Sequence, residues 1–577
     1  MAAGRLSLNS RQKAAVRHDG HLSLAACPGS GKTRAIVAKL LRCVDTLEGG
    51  TRRVACITYT NAGVSEIESR LRQQGGSMVE AYAEIGTIHS FCLNNILRSY
   101  HGLIGELADG YEVTPPDSEW FQHIVQAIAL EYELKVWVRD RFADIQRQPD
   151  GSLFVPDGVP LDAAVEFCAK MASENRISLS DIVFYSYRIA ARFPFVCRDV
   201  ASRFRWLIVD EFQDTTVTQV EIFKLIHAHR RTEFFMVGDP NQSILGFAGA
   251  RPDLMETFGI HIGAKSDIIL NVNYRCSQKI VDVAERLYHL TPQMVAGGKS
   301  RDFPVVPTYE QASSPFDCVW DYFLPALEEL EIDLGDAAVF APWWVTLFNL
   351  GRQLRDRDIP IIGRGARPYK GNTAFAQFAE STGAYLSSLD VNEYAGLRRT
   401  FFWLVLNIVG DPDWRVYRYD GKRVLAMLIA AARKCKSQDE SAVGFLDKFV
   451  AEVGAILVYE GYIPESGEAL LRESADIMIA GIKSKMSDPM NVSVDFLSMF
   501  ARPKECLQLL TMHGAKGREF DAVAVVDVHD DKVPHWTAEG EQVEEAKRLM
   551  YVASTRARKL LMFFRIHRIR ATARQGS

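Results

Sequence analysis

The chain has 577 residues, 47% of them hydrophobic and 24% charged, which is an ordinary globular composition at a length for roughly three to five domains. Its net charge of −5 excludes a polycation that holds nucleic acid through its average field, so any such partner has to be met by local basic surface. The absence of a long apolar run, of a signal-peptide core and of any C-x-x-C pair among ten scattered cysteines points to a cytoplasmic protein with reduced core thiols, no membrane partner and no zinc site.

The first element is a helix start at Leu8-Asn9-Ser10-Arg11-Gln12. A Gln just ahead of a phosphate loop offers both halves of its amide to an adenine edge, although alone it reads as a surface helix. The apolar run Leu22–Ala26 is a buried strand, followed by Cys27-Pro28-Gly29-Ser30-Gly31-Lys32-Thr33 and a helical pattern from Arg34. Strand, small-residue loop and helix N-terminus make a phosphate cradle, because backbone N–H groups converge there and the helix dipole favours negative charge. In that geometry Lys32 reaches the outer phosphates and the Thr33 hydroxyl binds Mg²⁺. Ala26 stands where the general pattern has its first Gly; the plain alternative is a Gly/Ser turn.

Residues 53–59 read as a strand running into Thr58-Tyr59-Thr60-Asn61 and an amphipathic helix, and Ile85-Gly86-Thr87-Ile88-His89-Ser90-Phe91 as another strand and turn. Small hydroxyls beside an aromatic at strand ends suit phosphate contacts and base stacking, or are simple strand-to-helix turns. From about 95 to 178 the pattern turns helical, an insertion between core strands. The strand Phe204–Val209 then ends in Asp210-Glu211-Phe212-Gln213-Asp214. Asp210 is placed to hold the Mg²⁺ shell and Glu211 to take a proton from the attacking water; otherwise the pair is a helix cap.

The strand 234–237 leads to Gly238-Asp239-Pro240-Asn241-Gln242-Ser243-Ile244, where Gln242 can sense a γ-phosphate and relay it to Phe247. Residues 268–272 lead to Asn273-Tyr274-Arg275, a Tyr for adenine stacking beside an Arg for phosphate. The second half repeats the alternation without a second glycine loop: strands at Ala337–Ala341 and 359–362, a helix at 347–357, and a mainly helical stretch at 375–500. The α/β pattern resumes at Leu507-Gln508-Leu509-Leu510-Thr511-Met512-His513-Gly514-Ala515-Lys516-Gly517-Arg518-Glu519-Phe520, with strands at 522–528 and 560–564. Two places are locally basic: the first sixty residues, and the tail from Arg548 (Arg548, Arg556, Arg558, Lys559, Arg565, Arg568, Arg570, Arg574), which is otherwise a solvated end.

The order of these motifs resembles the superfamily 1A helicases of the UvrD/Rep/PcrA type, from Leu8…Gln12 to Tyr551…Thr555-Arg556-Ala557. The resemblance implies an α/β fold of two RecA-like P-loop NTPase cores, each interrupted by a mainly helical insertion. It places the first core at 1–94 and 179–270 around an insertion at 95–178, and the second at 271–374 and 501–577 around one at 375–500. It also implies ATP bound between the cores, Mg²⁺-dependent hydrolysis and 3′→5′ movement on single-stranded DNA. Carried over, Gln12 and Tyr274 hold adenine, Glu519 the ribose, and Pro28, Gly29, Ser30, Gly31, Lys32, Thr33 and Arg34 the phosphates and Mg²⁺. Asp210 and Glu211 serve metal and water, Gln242 senses the γ-phosphate, and Arg275 and Arg556 are arginine fingers from the second core. Thr58, Tyr59, Asn61, Thr87, His89, Phe247, Thr511 and His513 are the DNA contacts, for single strands or DNA with single-stranded ends.

The family's usual Ile-Tyr-x-Trp-Arg-Gly-Ala is Ile244-Leu245-Gly246-Phe247-Ala248-Gly249-Ala250 here, Tyr59 replaces a Phe, and the second insertion is short. These departures favour ATPase over processive unwinding and keep open a DNA-stimulated sensor. A scaffold with a dead nucleotide fold conflicts with the intact Lys32, Asp210, Glu211, Gln242, Arg275 and Arg556, and a small-molecule kinase leaves the second α/β half unexplained. Compact size and the loop Ala26–Thr33 resemble the helicase subunit of Gabija-type anti-phage systems, which implies an OLD-family TOPRIM nuclease as partner.

Overall fold

The computed structural model describes residues 7–47, 50–75, 78–363, 365–371, 373–411, 413–529, 532–534 and 537–566. Its contacts divide the chain into two compact units, Met1–Pro304 with Ala538–Thr555, and Val305–Thr537 with Arg556–Ser577. Each unit is α/β, built on a parallel six-stranded sheet, and each carries a helical insertion, as the motif order implies.

The first sheet is formed by β1 (Leu22–Ala26), β2 (Arg53–Thr58), β3 (Ala83–Thr87), β4 (Phe204–Val209), β5 (Glu233–Gly238) and β6 (Ile269–Leu270), in the order β6-β1-β5-β4-β2-β3. Strands covered on both faces are apolar almost throughout, and β1, β2, β4 and β5 are so. The register Ala25↔Gly238, Val209↔Met236 and Ile57↔Val209 brings the C-terminal ends of four neighbouring strands to one edge. Open parallel sheets bind their ligands at that edge, in the loops beyond the strand ends.

The run 268–272 is not one strand. Leu270 pairs with Ala26, whereas Val272 and Asn273 leave the sheet to pair with Val295 and Ala296. Asn271 marks the switch, its amide donating to Gln293 O at 2.6 Å. The first insertion has its own small core of Phe121, Val125, Phe142 and Phe167 between the helices Glu119–Glu131 and Leu161–Ser173. Its flanks behave differently: Ile96, Leu97, Ile104 and Leu107 pack into the core under the sheet.

The second sheet consists of β7 (Thr308–Ala312), β8 (Ala337–Ala341), β9 (Ile361–Ile362), β10 (Leu507–Thr511), β11 (Phe520–Val525) and β12 (Ala557–Ile566), ordered β7-β12-β11-β8-β10-β9. Strand β7 has no counterpart in the sequence reading, because an edge strand with alternating exposed polar residues lacks the apolar run of a buried one. Five helices of the second insertion, from Ala374–Ser388 to Ser466–Lys485, share a single continuous hydrophobic core with this sheet.

All ten cysteines are free thiols, nine of them buried. Among the described residues no helix is long and apolar enough to cross a membrane. Two cations of the basic tail are paired with acids: Arg558 with Glu519 and Asp521, and Lys559 with Asp521, at 2.6–3.0 Å, while Arg556 is buried. Arg568, Arg570 and Arg574 lie outside the described residues.

Candidate active site

The loop after β1 is held by short backbone bonds. Cys27 N donates to Leu270 O at 2.9 Å, Ser30 N to Cys27 O at 3.2 Å and Ala35 N to Gly31 O at 3.0 Å. Gly29 and Gly31 sit in the left-handed region, at φ +65° and +78°. A Cβ on Gly29 would lie 2.7 Å from both Arg275 Cβ and Asn273 Oδ1, and one on Gly31 2.8 Å from Gln12 Nε2. Glycine is required there by conformation and by space together. Pro28 and Ser30 are buried, Ser30 Oγ has no hydrogen-bond partner among the described residues, and Lys32 and Thr33 open the helix Lys32–Leu47.

Lys32 turns toward the acids at the end of β4. Its Nζ donates to Glu211 Oε2 at 3.1 Å, and Gln213 Nε2 donates to the same oxygen at 2.7 Å. Glu211 is non-glycine backbone at φ +50°, a conformation of the kind that persists where the surroundings enforce it. Its N–H donates to Asp210 Oδ1 at 2.9 Å, and Asp210 N donates to Ile57 O at 2.8 Å, which ties the turn to β2. Burial, then the neighbouring Glu211, push the Asp210 carboxyl up to about 7 against the pull of Lys32. Burial opposes the charge on Lys32, yet Glu211, Asp210 and Asp239 outweigh it and raise its pKa.

The loop after β5 completes this edge. Gln242 is buried; its Nε2 donates to Asp239 Oδ2 at 2.8 Å and its N–H to Asp239 O at 2.9 Å. Asp239 N in turn donates to Gln213 Oε1 at 3.0 Å, so Gln213 links the β4 and β5 loops. Burial raises the Asp239 carboxyl above its usual range. Lys32, Asp210, Glu211 and Gln242 therefore come from three adjacent strand ends.

The third side is the turn 273–276. Asn273 Oδ1 accepts from Arg275 N and Cys276 N, both at 2.8 Å, an Asx turn that fixes the two neighbours. Tyr274 N donates to Gly29 O at 2.8 Å, and Arg275 Nη1 to Thr555 O at 3.0 Å. Residues 271–304, which the sequence reading puts at the start of the second core, thus lie in the first unit, Arg275 among them. Gln12 is buried; its Nε2 donates to Ser30 O at 2.9 Å, and it closes a capping box with Asn9. Asn9 Nδ2 donates to Tyr274 OH at 2.8 Å, which brings the two adenine candidates to one place. Arg34 Nη1 donates to Ser7 O at 3.3 Å.

The remaining candidates are distributed over both units. Thr58 is buried at the end of β2, Tyr59 is half-buried and Asn61 exposed. Burial, then Asp214 and Asp144, push the Tyr59 hydroxyl up to about 12. Thr87 caps the next helix, accepting from Ser90 N at 3.2 Å, and burial lowers the pKa of His89 beside it. Phe247 is half-buried, with the Arg141 guanidinium 4.7 Å from its ring centroid. Gln146 Nε2 donates to Ala248 O at 2.6 Å, so the first insertion covers this loop. In the second unit Thr511 Oγ1 accepts from Gly514 N at 3.0 Å, and His513 opens a short 3-10 turn. Arg556 is buried with Nη1 at 3.4 Å from Arg518 O, and Glu519 is exposed and paired with Arg558.

Four residues of this arrangement carried no assigned role in the sequence reading: Asn9, Gln213, Asp239 and Asn273. Each stands inside a motif already singled out, and its side-chain bond closes a turn of that motif or joins it to another. The signal was their amide or carboxylate type, at a helix start for Asn9 and at or just after strand ends for the other three.

A family model for the UvrD/REP helicase N-terminal domain matches residues 8–147 and 160–261, and one for the UvrD-like helicase C-terminal domain matches residues 495–568. The chain is 24% identical to ATP-dependent DNA helicase UvrD1 of Mycobacterium leprae, over 97% of this chain and 82% of that one. It is 23% identical to ATP-dependent DNA helicase Rep of Escherichia coli, over 97% and 90% of the two chains. For the putative ATP-dependent DNA helicase YjcD of Bacillus subtilis the identity is 24%, over 96% and 78%. Both domain models of one family are matched in order, and on that ground the chain belongs to the UvrD/Rep-like ATP-dependent DNA helicase family.

Proposed function

We propose that this chain hydrolyses ATP with Mg²⁺ and couples each turnover to 3′→5′ movement along single-stranded DNA or DNA with single-stranded ends. The observation that carries the reading is the convergence of Lys32, Asp210, Glu211 and the Gln242–Asp239 pair beside a glycine loop with no room for a Cβ. Lys32 pairs with Glu211 at 3.1 Å. A γ-phosphate entering the loop competes for that ammonium and frees the carboxylate. Glu211 then takes a proton from the attacking water as its oxygen bonds to the γ-phosphorus, and the bond from that phosphorus to the bridging oxygen of ADP breaks.

The Mg²⁺ site fits the residues present. A threonine hydroxyl (Thr33) and one carboxylate (Asp210) match a cation that keeps water and phosphate in most of its shell, and a carboxyl raised to about 7 is one that a cation would ionise. Bound there, the ion supplies charge neutralisation on the phosphates. Gln12 and Tyr274 are assigned to adenine and Glu519 to ribose, with Pro28, Gly29, Ser30, Gly31 and Arg34 around the phosphates. Arg275 and Arg556 are assigned to the charge of the transition state. The DNA path is assigned to Thr58, Tyr59, Asn61, Thr87, His89, Phe247, Thr511 and His513. The division into two RecA-like cores with insertions at 95–178 and 375–500, and a cytoplasmic location, go with this reading.

A second reading is a DNA-stimulated ATPase that unwinds little and activates an OLD-family TOPRIM nuclease in anti-phage defence. The nuclease partner rests on the sequence resemblance to Gabija-type systems. Reduced unwinding has support in the loop 245–249, whose Phe247 faces Arg141 and whose backbone is held by Gln146. ATP turnover measured with single-stranded DNA, with duplex and without DNA, beside strand displacement and with and without co-purifying proteins, tests both. Turnover with displacement is expected from the first reading and turnover without it from the second. No turnover in any arm overturns both.

A further inference from the structure

The segment 398–423 of the second insertion carries six cations (Arg398, Arg399, Arg415, Arg418, Lys422, Arg423) against three anions (Asp411, Asp413, Asp420), in a chain whose net charge is −5. Two of the cations are already committed. Arg415 Nε binds both oxygens of Asp413, at 2.8 and 3.0 Å, and Arg423 pairs with Glu460. Arg399, Arg418 and Lys422 are exposed.

Among these charges stands a cluster of rings. Phe402 lies 5.2 Å from Trp414 and 5.4 Å from Tyr417 between centroids, Trp414 lies 6.1 Å from Tyr417, and the Arg398 guanidinium lies 5.1 Å from the Tyr417 ring. Trp414 is 62% exposed, Trp403 48% and Tyr417 39%. The core's demand for apolar surface is met without them. The helix Val391–Val409 buries Leu397, Phe401, Leu404 and Val405, and the turn Trp414–Tyr417 buries Val416. Exposed rings with exposed cations close by in the chain, Arg418 next to Tyr417 and Arg399 three residues before Phe402, offer faces for stacking and partners for phosphate.

We infer that the ring cluster Phe402–Trp414–Tyr417, with the exposed Arg399, Arg418 and Lys422 of the same segment, binds single-stranded nucleic acid by base stacking. Only unpaired bases offer their faces, so duplex is excluded from the rings, and the surplus of cations matches a phosphodiester backbone. The inference goes beyond the function proposed above, because none of these residues belongs to the motifs assigned to ATP or DNA.

Full-length chain is irradiated with a short single-stranded oligonucleotide containing 5-iododeoxyuridine, and the adducts are mapped; affinity and ATP turnover are measured in parallel. Adducts on Trp414 or Tyr417 are expected. Trp414→Ala should weaken binding roughly five- to a hundredfold, with Trp414→Phe close to wild type and turnover without DNA unchanged. Arg418→Gln should make the salt dependence shallower by about 0.7 in log–log slope. If melting shows Trp414→Ala unfolded, the adduct map and Trp403→Ala carry the decision. Adducts only elsewhere with unchanged affinity overturn the platform, as does a Trp414→Ala preparation that loses a co-purifying protein while keeping its oligonucleotide affinity. If DNA still stimulates turnover in those cases, the proposed function stands alone; wild-type chain that binds no oligonucleotide overturns both.

Discussion

The two six-stranded sheets of this protein are both wholly parallel, yet the loops at their C-terminal edges differ in kind. Beyond β1, β4 and β5 lie a glycine loop, two acids in a strained turn and a Gln–Asp pair, joined by the side chains of Lys32 and Gln213, the latter accepting from the Asp239 N–H. Beyond β8 and β10, which end together at Ala341 and Thr511, lie Pro342 with two tryptophans and a short turn opened by His513. The parallel sheet itself supplies only an edge. Chemistry depends on whether the loops there place backbone N–H groups and acids within reach of one another.

The sharpest way to break the comparison is at Lys32. Lys32→Ala should abolish ATP turnover, while Thr511→Ala at the second edge should leave turnover without DNA intact and change only its response to DNA; steady-state assays with and without DNA decide. Next are the arginines, one in each unit. Arg275→Ala and Arg556→Ala should each lower turnover at saturating ATP by roughly a thousandfold with a far smaller change in affinity, because the guanidinium answers charge that develops in the transition state. A loss confined to affinity rules out the finger role for that residue. Glu211→Gln should retain ATP binding and lower single-turnover hydrolysis by roughly 10²–10⁴, since an amide cannot accept the proton; near-normal hydrolysis would show that Glu211 is not the base.

Smaller effects separate crowding from conformation. Gly29→Ala combines a positive φ with a Cβ 2.7 Å from Arg275 and Asn273, whereas Gly517, at φ +80° in the second unit, has nothing within 4 Å of a built Cβ. Gly517→Ala should cost about 1–2 kcal/mol from conformation alone, read as a lower melting temperature. Gly29→Ala should cost more than that and weaken ATP binding as well; equal melting shifts and equal affinities would mean that the turn beside Gly29 yields. Comparable in size is Phe247→Ala, expected to weaken single-strand binding roughly five- to a hundredfold and to remove DNA stimulation while the basal rate stays. Lower stability with unchanged DNA affinity would assign the ring to its contact with Arg141 instead.

Much of the first unit can be read from residue order because its signals are local. The apolar run 22–26, the glycines with Lys32 and Thr33, and the acids directly after Phe204–Val209 each specify strand, loop and side-chain type within a few residues. Residue order alone therefore specifies the α/β class, the glycine loop and the buried strands of the first unit, and it names the candidates for ATP. What it could not determine is set by partners far away in the chain. Arg275 groups with the first unit because Asn273 turns the backbone and Tyr274 N meets Gly29 O, a bond across 245 positions. Lys32 rests on Glu211, Phe247 lies under Arg141, and the basic residues Arg558 and Lys559 are neutralised by Asp521. The two insertions read alike as helical stretches, yet one forms a separate core and the other merges with its sheet. Periodicity reports which face of an element is apolar; only the tertiary structure decides which other apolar face covers it.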